Sequence, residues 1–284
     1  MPGTLYIVAT PIGNLEDITL RALRTLKEVA LIAAEDTRVT RKLLNHYDIR
    51  TPMISYHVRS KLTQTEKIIG TLEEGKNVAL VSDAGTPGIS DPGYELIKLV
   101  IDAGFRVESI PGPSAVITAL VLSGLPTSRF AFDGWAPREA AERRKLLQSI
   151  KSDRRTCCLY VAPSRLIAAL ESIRDELGDR PIAVVREATK MFEEVFRGTA
   201  EEAVQHFQSG EVKGEIAVVI AGCPPHQVDA SEQSRIDLES RLAELIRSGM
   251  SQRDAVRKCT AETGLPRREV YAAALRLRVG RRTE

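Results

Sequence analysis

Residues 82–93 read Ser82-Asp83-Ala84-Gly85-Thr86-Pro87-Gly88-Ile89-Ser90-Asp91-Pro92-Gly93, and they follow directly on the apolar run Asn77–Val81. These twelve residues contain three glycines, two prolines and two aspartates. Glycine lets a backbone approach a ligand closely, and proline fixes the direction of a turn. Because ligands of open α/β sheets bind at the carboxyl ends of strands, this stretch predicts a ligand-binding loop after a buried strand.

Three other loops in the first half of the chain also follow apolar, strand-like runs, namely Pro11–Asn14, Glu35–Arg38 and Pro111–Ser114. A single loop of this kind is equally typical of any tight connection between a strand and a helix. Four of them within one alternating series of strands and helices indicate a shared crevice. The alternation itself predicts an α/β unit with a largely parallel sheet.

The chain divides into three predicted parts. Gly124-Leu125-Pro126 is the expected seam between an α/β domain at residues 1–124 and a second α/β domain at residues 125–225. Residues 226–284 then supply a polar linker and a helical tail, with helices expected at 238–247, 251–263 and 267–278. The short turn Gly264-Leu265-Pro266 separates the last two helices in a spacing that resembles a helix-turn-helix.

Composition and charge narrow the class of protein. The chain has no apolar run of about 18 residues, so no membrane span is expected. The four cysteines, two of them adjacent, show no metal-ligand or redox spacing and predict a reduced, cytoplasmic protein. From residue 232 onward, 12 Lys or Arg stand against 8 Asp or Glu, whereas the preceding residues carry 28 and 30. The basic tail is therefore a candidate for contact with a polyanion, although a solvated helical surface would look the same.

The sequence lacks the signatures of several common ligand sites. There is no Lys-Ser/Thr after a glycine run, as a phosphate-binding loop requires, and no Gly-x-Gly-x-x-Gly at a strand–helix junction. The four histidines are scattered, and no cluster predicts a metal site. The remaining option is a ligand held by backbone groups and a few carboxylates.

Several motifs then resemble one known family, in the same order along the chain. They include the Thr-Pro-Ile-Gly-Asn run at 10–14, Glu-Asp-Thr-Arg at 35–38, the run at 80–93, Ile-Pro-Gly-Pro-Ser-Ala at 110–115 and Arg-Glu-Ala-Thr-Lys at 186–190. These resemble the ribosomal RNA small subunit methyltransferase I family over about residues 4–222. The resemblance implies a tetrapyrrole-methylase-like fold, with two α/β domains and S-adenosylmethionine in the cleft between them. It further implies a homodimer that methylates a cytidine 2′-oxygen in the decoding region of 16S rRNA.

The resemblance also implies which residues hold the cofactor. In the first domain these are Pro11, Ile12 and Gly13, then Asp83, Ala84, Gly85, Thr86 and Pro87, and finally Ser114 and Ala115. From the second domain, Ala162 and the segment Glu215, Ile216 and Ala217 are expected to close the cleft. Asp83 is suited to accept hydrogen bonds from an ammonium or ribose hydroxyls, or else to brace its loop. Ser114 is suited to contact the ligand or to cap the following helix.

A ribose hydroxyl is a weak nucleophile, so a proton acceptor beside it would assist methyl transfer. The candidates are Glu35, Asp36, His57 and Glu187, with Lys190 and Arg38 as groups that position phosphate or lower the hydroxyl pKa. Glu187 and Lys190 are equally suited to form an ion pair that braces a strand end. Members of the family often have Tyr-His-Glu-His-Asn at 56–60 and Tyr-Glu-Ser-Pro-x-Arg at 160–165, and this chain departs from both motifs.

RNA contacts are predicted at two places. Arg38 and Arg165 lie in the α/β part, and the others lie in the tail, at Arg253, Arg257, Lys258, Arg267 and Arg268. A tail that serves only for packing or dimerisation is the alternative. Two other functions fit the same fold: a methylase of a small tetrapyrrole-like substrate, and a catalytically inactive RNA-binding relative.

Overall fold

A computed structural model describes residues 2–56, 61–91, 93–208, 210, 212–224, 238–263 and 267–279. The chain forms two compact units, Met1–Gly222 and Cys223–Glu284. The first unit contains two five-stranded sheets, and the second is helical where it is described. Within these residues, no helix combines the length and the apolar character needed to cross a membrane.

The first sheet has the strand order β3-β2-β4-β1-β5, and all of its pairings are parallel. Its central strands are buried on both faces, which explains why they are continuous apolar runs rather than alternating ones. The parallel sheet predicted for the first half is therefore confirmed. In chain order the strands are β1 (Thr4–Val8), β2 (Leu31–Ala34), β3 (Met53–Ser55), β4 (Val78–Val81) and β5 (Arg106–Ile110).

Helices connect these strands and cover the sheet with two apolar clusters, one on each face. Side-chain caps fix where two of them begin: the Thr19 hydroxyl accepts a hydrogen bond from the Ala22 amide, and the Asp36 carboxylate accepts one from the Arg38 amide. The helices are α1 (Leu20–Glu28), α2 (Thr37–His46), α3 (Lys61–Glu73) and α4 (Tyr94–Asp102), with a 3₁₀ turn at Leu15–Asp17.

The second sheet has the order β6-β7-β10-β8-β9, and only the β6–β7 pair is parallel. Helix α5 (Ala115–Ser123) packs on one face, and α6 (Ala140–Ser149), α7 (Leu166–Leu177) and α8 (Ala200–Phe207) belong to the layer on the other. The strands are β6 (Phe130–Trp135), β7 (Thr156–Val161), β8 (Ile182–Arg186), β9 (Glu194–Gly198) and β10 (Ile216–Ile220), with a 3₁₀ turn at Pro163–Arg165.

The sequence did not predict β9, which pairs with β8 at the edge of the second sheet. Its residues Glu194-Val195-Phe196-Arg197-Gly198 have charged residues near both ends and only two apolar residues between them. An edge strand lies at the margin of the core, so it buries fewer apolar side chains than a central strand, and here Val195 and Phe196 pack on the two opposite faces. Its pairing with β8, rather than its own composition, makes it a strand.

The second unit packs three helices around its own apolar core, which includes Leu242, Val256, Cys259 and Val270. The helices are α9 (residues 238–247), α10 (Gln252–Thr263) and α11 (Arg267–Val279). The three helices expected in the tail are thus present.

Candidate functional site

A cavity of about 260 Å³ opens in the first unit, where loops from the two sheets face each other. The first sheet contributes residues that follow β1, β2 and β4, and helix α5 contributes Ala115 and Ala119 together with Ser114, which precedes it. The second sheet contributes residues of β6, β7, β8 and β10. The lining consists of Ile12, Glu35, Asp83, Ala84, Gly85, Thr86, Ile89, Ser90, Asp91, Ser114, Ala115, Ala119, Trp135, Tyr160, Val185, Ala188, Glu215, Ile216 and Ala217.

Two strand-end loops are joined directly beneath this cavity. The amide of Thr10 donates to the carbonyl of Gly85, and the amide of Gly85 donates back to Thr10, at 2.9 and 3.0 Å. The buried Thr10 hydroxyl also donates to the carbonyl of Ser82 at 3.2 Å. Because these bonds fix the loop after β4 to the loop after β1, the wall formed by Asp83–Thr86 has a defined position.

Three carboxylates of the lining belong to the first sheet. Burial raises the pKa of Glu35, of Asp83 and of Asp91 above their ordinary values. The Asp91 carboxylate adds to the rise in the Glu35 pKa by repulsion, and a hydrogen bond from Ser82 to Asp91 partly opposes the rise there. The cavity wall is therefore acidic, and the binding of a cation or of a proton stabilises it.

Asp36 and Arg38 are held together outside the cavity lining. The Arg38 guanidinium donates to both Asp36 carboxylate oxygens, with Nη2 at 2.6 Å from Oδ2. Hydrogen bonds from the Arg38 side chain and amide hold the pKa of Asp36 at about 2. An acid this strong is a poor proton acceptor near neutral pH, and the Arg38 side chain is 88% exposed. The pair caps α2 and presents a cation to solvent.

Glu187 and Lys190 form the ion pair that was one of the two alternatives for them. Lys190 Nζ lies 2.7 Å from Glu187 Oε1 and 3.1 Å from Glu215 Oε2. The Glu187 carboxylate also accepts a hydrogen bond from the Glu215 amide at 2.9 Å. The Lys190 hydrogen bond lowers the pKa of Glu187, and neither residue lines the cavity. This geometry supports a brace for Glu215, which does line it.

Gly13 marks a close approach between the two halves of the first unit. A Cβ atom on Gly13 would lie 2.5 Å from Lys190 Cγ, 2.7 Å from the Thr189 hydroxyl and 2.8 Å from the Ala188 carbonyl oxygen. Only a glycine allows the segment at 188–190 to come this close. Gly13 thereby shapes the cavity indirectly, since the neighbouring residues Ile12 and Ala188 line it.

The structure brings most of the predicted cofactor residues to this one cavity. Those in its lining are Ile12, Asp83, Ala84, Gly85, Thr86, Ser114, Ala115, Glu215, Ile216 and Ala217, and those outside it are Pro11, Gly13, Pro87 and Ala162. Ser114 is the N-cap residue of α5, but its hydroxyl makes no capping hydrogen bond, which leaves that hydroxyl to the cavity. Ala162 lies beyond the end of β7, where the chain turns into a 3₁₀ helix, and Tyr160 of the strand itself takes its place.

The predicted catalytic residues are dispersed. Only Glu35 lines the cavity, whereas Asp36, Glu187 and Lys190 are engaged in the ion pairs described above. His57 lies outside the described residues. Arg165 is half-buried at the 3₁₀ turn after β7 and does not line the cavity.

Sequence reasoning missed eight lining residues: Ile89, Ser90, Asp91, Ala119, Trp135, Tyr160, Val185 and Ala188. The first three stand inside the glycine- and proline-rich stretch and could have been included on that ground. Tyr160 is an aromatic residue near the end of a predicted strand, and Trp135 ends the run that was expected to open the second domain. Both are weaker signals. Ala119, Val185 and Ala188 carry no chemical signal in the sequence, since small apolar residues are common in any core.

The predicted tail cations lie on α10 and α11. Arg253, Arg267 and Arg268 are exposed. Arg257 Nη2 lies 3.2 Å from Asp254 Oδ1, with its side chain 81% exposed. Lys258 is also exposed.

Comparisons with known proteins agree with this architecture. The model of the tetrapyrrole (corrin/porphyrin) methylase family matches residues 4–204, and that of the RsmI C-terminal HTH domain matches residues 232–278. Among solved structures, cobalt precorrin-4 methyltransferase covers 77% of this chain and 94% of its own with a TM-score of 0.60 at 18% identity. Uroporphyrin-III C-methyltransferase of Thermus thermophilus, complexed with S-adenosylhomocysteine, covers 77% and 97% with a TM-score of 0.54 at 20% identity. These likenesses show the fold, and the predicted fold class is confirmed.

Curated relatives are much more similar in sequence. A Synechocystis protein named ribosomal RNA small subunit methyltransferase I is 47% identical over 276 residues, which is 97% of this chain and 98% of its own length. The Bacillus subtilis protein of that name is 44% identical, covering 95% and 94%. That of Thermotoga maritima is 49% identical over 220 residues, which is 78% of this chain and 99% of its own. The predicted family is therefore confirmed, and the chain belongs to the ribosomal RNA small subunit methyltransferase I family.

Proposed function

We propose that this protein is a cytoplasmic enzyme that transfers the methyl group of S-adenosylmethionine to the 2′-hydroxyl of a cytidine in the decoding region of 16S rRNA. The observation that carries the proposal is the acidic cavity built from strand-end loops of both sheets, in a chain whose relatives are named as rRNA methyltransferases. The relatives support rRNA as the substrate, and the cavity supports the methyl donor.

The chemistry of the lining fits S-adenosylmethionine. Glu35, Asp83, Asp91 and Glu215 place carboxylates around a space whose other walls include the apolar residues Ile12, Ala115 and Ile216. Carboxylates favour the sulfonium and ammonium cations, and apolar walls suit an adenine ring. Its volume of about 260 Å³ is just below the usual lower limit of about 300 Å³ for small-molecule sites. The bound cofactor would supply a methyl group already activated by positive charge on sulfur.

Within this proposal, Glu35 accepts the proton of the ribose hydroxyl. It is the one predicted proton acceptor among the described residues that lines the cavity, and burial raises its pKa, which makes its carboxylate a stronger base. Asp36 is held too acidic by Arg38, and Glu187 is occupied by Lys190. Both of those pairs serve as supports: one at the start of α2, the other behind Glu215.

The carboxylates of the cavity repel phosphates, so RNA would be bound in part outside the cavity. We propose that Arg38 and Arg165 contact the RNA near the cavity, and that Arg253, Arg257, Lys258, Arg267 and Arg268 contact it from the helical tail. The match of residues 232–278 to an HTH domain supports the second part. Release of counterions from the neutralised phosphates would make this binding sensitive to salt.

A homodimer is also proposed. Helix α5 packs its buried side on the second sheet but exposes Ile117 by 45% and Val121 by 67%. These residues are one helical turn apart and so form one apolar strip. Light scattering of the wild type and of a double variant, Ile117→Asp with Val121→Asp, tests the pairing: the wild type should have twice the mass of the variant.

The experiment that tests the function is labelled methyl transfer to small ribosomal subunits purified from cells that lack this protein, followed by nucleoside mapping. A single 2′-O-methylcytidine in 16S rRNA is the expected product. Calorimetry with S-adenosylmethionine should show binding by the protein alone. Label in a small tetrapyrrole and none in RNA would favour the small-molecule methylase, and RNA binding with no heat from the cofactor would favour the inactive relative.

A further inference from the structure

Strand β6 contains a β-bulge that changes the direction of its last side chain. Phe132 lies opposite Cys158 on β7, and Trp135 lies opposite Tyr160, so β6 has one residue more than β7 over this interval. Gly134, inside the bulge, has a φ of +70°, a conformation that favours glycine. In a regular strand Trp135 would share the face of Ala131, which packs against the core formed with α6, α7 and α8.

The extra residue places Trp135 on the opposite face, with Phe132 and Tyr160. The Tyr160 ring lies between the other two, with centroid distances of 4.9 Å to Phe132 and 5.4 Å to Trp135, both edge-on. Burial raises the pKa of Tyr160 to about 12, so its hydroxyl stays neutral. The ring packs against both neighbours and supports the indole from one side. Bulges commonly re-aim a side chain near a functional site, and here the side chain lines the cavity.

Although it lines the cavity, Trp135 is 54% exposed. Ile89, which also lines the cavity, is 47% exposed. The indole packs against Tyr160 on one side only, so much of its apolar surface is exposed to solvent. The rim therefore offers a flat aromatic surface to a planar partner.

We propose that Trp135 stacks on the nucleobase of the acceptor nucleotide and so positions its ribose over the cavity. This rests on the proposed function, since it assumes an RNA substrate. Single-stranded RNA bases are commonly held on exposed aromatic side chains, because every base has a π-face. The carboxylates of the cavity keep phosphates out, so an uncharged base is the part of a nucleotide that this rim favours. Adenine of the cofactor is the other available ring, and the test separates the two.

Trp135 is the only tryptophan of the chain, so its fluorescence reports on this position alone. The first measurement titrates the wild-type protein, saturated with S-adenosylhomocysteine, with a cytidine-containing single-stranded RNA oligonucleotide. Stacking should quench the indole emission in a saturable way. If S-adenosylhomocysteine alone quenches the emission and RNA adds nothing, the ring contacts the cofactor and the proposal is overturned.

The second measurement compares methyl transfer to small subunits by Trp135→Ala, Trp135→Phe and the control Tyr94→Ala. Tyr94 is an aromatic residue that is 66% exposed and does not line the cavity. Loss of the stacking contact with one base should raise the KM of Trp135→Ala for the RNA substrate roughly 10- to 100-fold. Trp135→Phe should recover most of the loss. In Trp135→Ala the KM for RNA should change far more than the affinity for S-adenosylmethionine, and Tyr94→Ala should match the wild type in both.

An unchanged KM in Trp135→Ala, or a loss confined to cofactor affinity, would overturn the stacking role. If the wild type methylates no RNA, the proposed function fails, and the fluorescence titration still decides: quenching by RNA supports the stacking, and its absence refutes it.

Discussion

Asp83 and Glu35 are linked across the ends of β4 and β2: the Asp83 amide donates to Glu35 Oε2 at 3.4 Å. The Asp83 carboxylate in turn accepts a hydrogen bond from the Asp36 amide at 3.0 Å. These two hydrogen bonds join residues that are 47 and 48 positions apart in sequence, so the two loops hold each other in place. The arrangement keeps two acidic side chains in one wall of the cavity. Burial disfavours their ionised forms, and it raises the pKa of both carboxyl groups.

Substitution of Glu35 by Gln should remove the proton acceptor and keep the shape of the side chain. We expect the single-turnover rate of methyl transfer to fall by about 10²–10⁴-fold. Affinity for S-adenosylmethionine should weaken only slightly, because Asp83 and Asp91 remain. Glu73→Gln, an exposed glutamate at the end of α3, is the matched control. A wild-type rate in Glu35→Gln would remove this residue from the chemistry.

Asp91→Asn should stabilise the ligand-free protein near neutral pH. Burial raises the pKa of Asp91 in the folded state, so the ionised carboxylate favours unfolding at any pH above that pKa. The variant should gain about 0.5–2 kcal/mol in urea unfolding at neutral pH. The gain should shrink as the pH falls through the raised pKa, where the wild-type carboxyl becomes neutral. Asp179→Asn, at an exposed position, should show no such dependence.

Glu187→Gln should affect stability and not the chemical step. Its hydrogen bond with Lys190 lowers the pKa of Glu187, so the pair stabilises the fold above the ordinary pKa of a glutamate. We expect a loss of about 0.2–1 kcal/mol at neutral pH. The difference from wild type should vanish as the pH falls through the lowered pKa. Glu171→Gln on α7 is the control, and a large loss of single-turnover rate at unchanged stability would instead assign Glu187 to catalysis.

Gly13→Ala tests the close approach between the halves of the first unit. The added Cβ would meet the Ala188 carbonyl oxygen at 2.8 Å, a backbone atom that cannot rotate away. We expect a loss of about 1–3 kcal/mol in stability, together with weaker binding of S-adenosylmethionine because Ala188 lines the cavity. Gly70→Ala is an informative comparison, since nothing lies within 4 Å of its Cβ position in α3 and helix propensity should make it stabilising.

Deletion of the residues after Gln233 tests the helical tail. The first unit has its own cores, and the Thermotoga maritima relative consists almost entirely of 220 matching residues, close to the length of that unit. Affinity for S-adenosylmethionine should therefore be retained. Affinity for small subunits should fall, and the dependence of binding on salt should become less steep. Equal affinity of the full and shortened chains for subunits would assign the tail to another role.

The sequence alone determined which segments form the buried strands and which turns carry the ligand loops. Continuous apolar runs, glycines and prolines are local signals, and Ser82–Gly93 is recognisable without any partner. The parallel character of the first sheet followed, because strands that alternate with helices are typical of parallel sheets. Glu35 and Ser114 were predicted in the site for the same reason: both stand where a strand has just ended.

Only the tertiary structure decided which of these residues share one cavity and what each can do there. Glu187 could have been a base until its distance to Lys190 was known, and Trp135 could have been a core residue until the bulge in β6 turned it to the cavity. β9 became a strand only through its neighbour β8. Contacts of this kind depend on register and on packing between segments far apart in sequence, and no local pattern of residues encodes them.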